Sequence, residues 1–180
     1  MDALGPIRTE YQRYRRQVEL ALEQVADADL HRTLDPDGNS IAVLLRHLAG
    51  NLRSRFTDFL GSDGEKPWRH RDDEFATTIA TRTELLAAWH DGWRAVEQAL
   101  ADIAAAGPAV FTRQVTIRQQ PLSVLDALLR SVAHTASHAG QIVLLARTFA
   151  GSSWRSLSIP KGGSAAYAAS PTREKSPDGR

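Results

Sequence analysis

Two histidines stand four residues apart in SVAHTASHAGQIVLLAR, residues 131–147, a segment otherwise rich in alanine and leucine. On a helix, residues four apart lie about 40° apart, one turn above the other. Paired in this way, His134 and His138 can chelate one divalent ion. A structural role at a helix edge is the competing explanation of such a pair. A third imidazole on a facing helix would complete a set that leaves coordination positions open for water or substrate, as catalytic metal sites do. His47 is the best candidate, because it falls at the edge of the apolar arc of its own predicted helix, as the pair does on theirs. The remaining histidines, His31 in a turn, His70 in a basic linker and His90 off the main apolar stripe, are expected to be surface or boundary residues.

Those three histidines need long helices to bring them together. Four segments carry helical periodicity. The first spans about Pro6 to Asp27. The second starts at Asn39 or Ser40, either a good N-cap, and runs to about Leu60. The third starts near Thr81, which stands at capping-box spacing from Glu84, and ends at Gly107. The fourth runs from Pro121 or Leu122 to Ala150. Between the third and fourth, FTRQVTIRQQPLS alternates weakly, as a short hairpin or an extended crossover would. Residues 61–80 form a long polar connection. About 18 extended residues reach roughly 60 Å, whereas a helix of about 20 residues is about 30 Å long. The connection can therefore cross the bundle, which would let the second and third helices run parallel, although its length does not force it.

The reading is all-α, a four-helix bundle over residues 1–155, with a Gly/Ser/Pro-rich tail over 156–180 that is expected to be largely extended or disordered. Composition narrows the function. Lys and Arg number 22 against 21 Asp and Glu, a net charge of +1, which gives no electrostatic footprint for nucleic acid. No cysteine is present, which removes disulfides, thiolate ligands and a cysteine nucleophile. No apolar run is long enough to span a bilayer and the N-terminus lacks a signal core, so a cytoplasmic protein is expected.

The segment HTASHAGQIVLLAR resembles the signature helix of the DinB-like (DinB/YfiT) superfamily of metal-dependent enzymes, and NSIAVLLRHLAGNLRSRFTDFL resembles its other metal-bearing helix. DGEKPWRHRDDEF and SIPKGGSAAY look like one subfamily without an assigned reaction. The resemblance covers about residues 5 to 170. It implies an up-down-down-up bundle with the long crossover between helices two and three. It implies a divalent metal on His47, His134 and His138, and a homodimer. Activity carries over less well. Relatives are similar to thiol-S-transferases using bacillithiol or mycothiol, and to maleylpyruvate isomerases dependent on a low-molecular-weight thiol.

The expected function is therefore a metal-binding protein, either a thiol-S-transferase or a hydrolase acting on a small molecule. A bound water or an incoming thiol would be its nucleophile. Zn, Ni or Fe suits the imidazole set. Asn51, Arg55 and Gln141 are candidates for orienting the imidazoles or binding substrate. Trp68 in the linker is expected to be a buried anchor, and Gly140 a point where helices approach closely. The alternative is a non-catalytic metal-binding or stress-response bundle serving as a structural or interaction module.

Overall fold

The computed structural model describes residues 3–76 and 79–171. Its long helices are α1 (Leu4–Leu22), α2 (Ile41–Phe56), α3 (Arg82–Ala106) and α4 (Val124–Ala150). An antiparallel hairpin, β1 (Gln114–Ile117) and β2 (Gln120–Ser123), precedes α4, and a short α5 (Ser164–Ala169) lies in the tail. The fold is all-α apart from that hairpin.

Local chemistry sets the helix ends. Ser40 caps α2 by accepting from Val43 N at 3.3 Å. Thr81 and Glu84 form the expected capping box, with Thr81 N donating to Glu84 Oε2 at 2.7 Å. Gly107 ends α3 at φ 77°, where a side chain would be strained. Three predicted boundaries shift. α1 stops at Leu22, and Asp27–Asp29 form a separate 3₁₀ turn. α2 stops at Phe56, because Thr57 is extended and Asp58 turns left-handed at φ 48°. α4 starts only at Val124, because Pro121 is taken into β2 opposite Thr116 and Ser123 supplies the cap.

The weak alternation before α4 is thus a hairpin. Its turn residues, Arg118 and Gln119, both have positive φ, 53° and 61°, without the Asn-Gly chemistry such turns favour. Asp63 holds them there: its carboxylate accepts from Arg118 N at 2.8 Å and Gln119 N at 2.7 Å. Burial would raise the Asp63 carboxyl, but these backbone donors outweigh it and hold it well below the usual carboxylate range.

Helix directions follow from contacts at the ends. Arg82, at the start of α3, donates to the carbonyls of Leu22 and Val25 at the end of α1. Ala42, at the start of α2, donates to Leu30 O just after α1. α2 and α3 therefore both start where α1 ends, and run parallel. Tyr11 donates to Leu128 O at 3.3 Å, and Gln24 brackets the backbone of Arg155, so α4 runs with α1. The order is up-down-down-up. α2 packs most extensively on α3, and α1 on α4.

The core lies between these pairs. Trp89 is fully buried, edge-on to Trp93 at 5.4 Å, and Tyr11 meets Trp93 and Phe56 edge-on. Gly92 allows α3 close to α2, since a Cβ there would lie 2.9 Å from Ala49 O. The crossover returns along α2: Gly64 O meets Ser54, Glu74 meets His47, Ala76 O meets Arg46, and Ala80 O meets His31.

The tail is not extended throughout. Leu157 packs against the core, as Trp154 does just before the tail, and 164–169 form α5. Residues 172–180 of that segment lie outside the described residues.

Candidate metal centre

The α2 helix presents His47 at a buried edge, 4% exposed, and α4 presents the half-buried His134 and His138 across from it. His47 Nε2 and His134 Nε2 are 3.2 Å apart. One ring nitrogen from each of the three histidines lies within 4.8 Å of the others. Bonds of about 2.1 Å to one ion separate its donor nitrogens by roughly 3–4 Å, so the first pair is already at ligand spacing. The three residues could hold a metal ion.

Neighbouring groups fix which nitrogen faces inward. His47 Nδ1 is 2.9 Å from Glu74 Oε2. Burial would raise the Glu74 carboxyl, but hydrogen bonds from His47 and Arg69, and the Arg69 charge, hold it below the usual range. Glu74 is therefore ionised and accepts only, so His47 donates to it from Nδ1 and turns Nε2 inward. Arg69 grips the same carboxylate at 2.8 and 2.9 Å. Gly50 makes room for it, since a Cβ there would sit 2.2 Å from Glu74 Oε1. His138 Nδ1 is 2.7 Å from Gln141 Oε1, which leaves His138 Nε2 inward as an acceptor.

The same crowding keeps the α4 imidazoles neutral. Burial, then the repulsion a protonated His138 or His47 would exert, push the His134 pKa down to about 4. Burial lowers His138 too, opposed by its bond to Gln141 and assisted by His47. Neutral imidazole is the form that ligates a metal, and this donor set suits a first-row divalent ion. His134 Nδ1 is buried without a hydrogen-bond partner among the described residues.

The histidines form one wall of a cavity of about 420 Å³, which also takes in Asn51, Arg55 and Ser131. Gln141 stands where the sequence suggested, on an imidazole. Asn51 is buried and lines the cavity, but no hydrogen bond joins it to an imidazole among the described residues. Arg55 lines it too, yet its guanidinium is engaged by Glu65 Oε2 at 3.1 Å and by Gly64 O. Trp68 is no buried anchor: it is 43% exposed, with the Arg53 guanidinium 4.7 Å from its ring. Gly140 is exposed, with nothing near the position of a Cβ, so no helix approaches it here. His70 and His90 are exposed, and His31 bonds the Ala80 carbonyl at 2.9 Å.

Sequence reasoning missed Glu74 and Arg69. Nothing in RDDEF marks Glu74 above Asp72 and Asp73. The available signal was topological: a linker returning along α2 must pass His47.

An all-helical bundle with three histidines converging from two helices is the class these features define. The chain belongs to the family described as protein of unknown function (DUF1572), whose model matches residues 2–163. No curated protein matches the chain. Among the described residues no helix is long and apolar enough to cross a membrane.

Proposed function

We propose that this chain is a DinB-like metalloprotein in which His47, His134 and His138 hold one divalent transition ion, Zn, Ni or Fe, and that it transforms a small molecule in the adjoining cavity. Thiol-S-transfer with a low-molecular-weight thiol, or hydrolysis, is the reaction class. The observation that carries the proposal is the convergence of three imidazoles on an open cavity, two of them with tautomers fixed from behind. A divalent ion at that point supplies a Lewis acid able to depress the pKa of a water or thiol. The chain's own residues do the rest. Glu74 keeps the His47 Nδ1 proton in place, Gln141 does so for His138, and Phe75, 5.0 Å from the His47 ring, shields that edge. With no cysteine in the chain, any thiol enters as a substrate. A homodimer is part of this reading, as the resemblance to DinB-like proteins implies.

The test is elemental analysis of untagged protein beside the His134→Ala/His138→Ala double variant. About one equivalent of metal, lost in the variant, supports the centre and opens a screen of thiol-transfer and hydrolysis substrates. No uptake, even after incubation with Zn or Ni, refutes it.

A further inference from the structure

The cavity wall holds five arginines, Arg55, Arg69, Arg71, Arg118 and Arg130, and no aspartate or glutamate. The chain as a whole is nearly balanced in charge, so composition does not explain this bias. Three of the five are engaged by carboxylates behind the wall. Glu74 takes Arg69, and Glu65 takes both Arg55 and Arg118 at 3.1 and 2.8 Å. Two carboxylates against three guanidiniums leave that group cationic. Arg71 packs over the Phe75 ring at 5.0 Å, and its nearest acid, Asp72 at 3.7 Å, has a side chain 99% exposed to water. The Arg130 side chain makes no ion pair or hydrogen bond among the described residues.

The placement of Arg130 is regular. Arg130, His134 and His138 occupy successive turns of α4, so the Cα of Arg130 lies about 6 Å along the axis from that of His134. An arginine fork matches the two oxygens of a carboxylate or phosphate. A low-dielectric cleft lined by one sign of charge also concentrates ions of the other sign.

We propose that the cavity receives a small oxyanion-bearing substrate, a carboxylate or phosphate, anchored by Arg130 and Arg71 with its reacting atom directed toward the three histidines. The proposal rests on the cavity being the substrate site of that centre. It also moves the anion-binding role from Arg55, which Glu65 already occupies, to the two guanidiniums left open. Arg130 stands one turn before His134 on the same helix and lines the same cavity, which favours compact acids over extended ones.

The experiment is titration calorimetry of the full chain, as purified and after chelator treatment, with succinate, inorganic phosphate and uncharged succinamide. Metal content is measured in parallel. Succinate or phosphate is expected to bind and succinamide not to, and the tighter of the two anions identifies the headgroup. Arg130→Gln, at an exposed position, is expected to lose about tenfold or more in anion affinity, with melting temperature and metal content unchanged. Arg71→Gln in that background removes the rest. Anions binding no better than succinamide, or with the same affinity in Arg130→Gln, overturn the proposal. Metal uptake without anion selectivity sinks this inference alone, whereas anion selectivity without metal uptake sinks only the metal centre.

Discussion

Replacing Glu74 by glutamine changes one oxygen to an amide nitrogen inside a chain of buried groups. The side chains of Arg69, Glu74 and His47 are only 3%, 10% and 5% exposed, so water screens little of the effect. The carboxylate serves donors on both sides, Arg69 and His47 Nδ1. Oε1 meets Arg69 Nε, while Oε2 meets both Arg69 Nη2 and His47 Nδ1, and a glutamine puts an oxygen at only one of these positions and an NH₂ at the other. With its oxygen toward Arg69 Nε, its NH₂ faces His47 Nδ1, which must then become the acceptor. The imidazole proton moves to Nε2, and the lone pair aimed at the metal position is lost. Loss of such an orienting partner costs about 10–100-fold in metal affinity, or about 1.4–2.7 kcal/mol. The fold should survive, because the amide still bonds Arg69. Glu74→Ala goes further, leaving the Arg69 charge buried and unpaired at a cost of about 3–5 kcal/mol. Adding Arg69→Met should recover most of that stability but none of the metal affinity. Competition against a chromophoric chelator measures the affinity, and ¹⁵N imidazole shifts report the tautomer. Zinc bound by Glu74→Gln within about twofold of the parent, with His47 still protonated at Nδ1, would refute the reasoning.

Other consequences follow from the same geometry. Gly50→Ala gains helix propensity of about 1 kcal/mol, yet its Cβ displaces the Glu74 carboxylate. It should weaken metal binding and also lower the melting temperature, because the displaced oxygen is the one that pairs the buried Arg69, and paired melts and chelator titrations measure both. Gln141→Ala should lower metal affinity by less than tenfold, since His138 is less enclosed than His47. Gly92→Ala drives a methyl to 2.9 Å from the Ala49 carbonyl and should cost about 1–3 kcal/mol by denaturant titration. In metal-free protein the folded pKa of His134 is depressed from 6.5 to about 4. The unfolded chain binds that proton first as pH falls, so stability is full above pH 6.5 and declines between 6.5 and 4, by roughly 3 kcal/mol at most. His134→Gln should flatten that slope in melts taken from pH 7 to 4.5. The Glu74 contribution is lost only lower, below the ordinary glutamate range, as its folded pKa is approached.

How much of this was legible in the sequence differs by element. Helices with strong 3.6-residue periodicity and a side-chain cap were readable to within a few residues, as Thr81 with Glu84 shows. The ends of α1 and α2 were not, because hydrophobic spacing continues through Val25 and Phe59, which are buried although they lie outside the helices. Periodicity reports which side faces the core, and a turn can bury the same side. The convergence of His47 with His134 and His138 was readable because each lies at the border of its own apolar arc. Gly140 misled for a related reason: the lack of a side chain marks possible close approach without naming the surface that approaches. The Arg55 pairing was not legible because its partner Glu65 lies ten residues away in a linker whose path no local pattern encodes.

That path explains why the site is assembled as it is. With α2 and α3 parallel, the chain must travel back the length of α2 before α3 can start. It does so in contact with the helix, which places Glu74 and Arg69 behind His47 as a consequence of the route. Two anchors hold the route: Asp63 on the hairpin turn at one end, and Ala80 O on His31 at the other. The hairpin is thereby coupled to the imidazoles through the linker. Asp63→Ala frees Arg118 and Gln119 from a turn that needs two left-handed residues, and loosens the first part of the return path. It should therefore lower metal affinity although Asp63 does not line the cavity that the histidines share. Arg118→Asn/Gln119→Gly, which suits the turn on its own, should restore the hairpin without Asp63. If metal affinity returns with it, the turn positions the linker. If affinity stays low, Asp63 acts on the linker directly, through the backbone of Glu65 that it also holds at 2.7 Å.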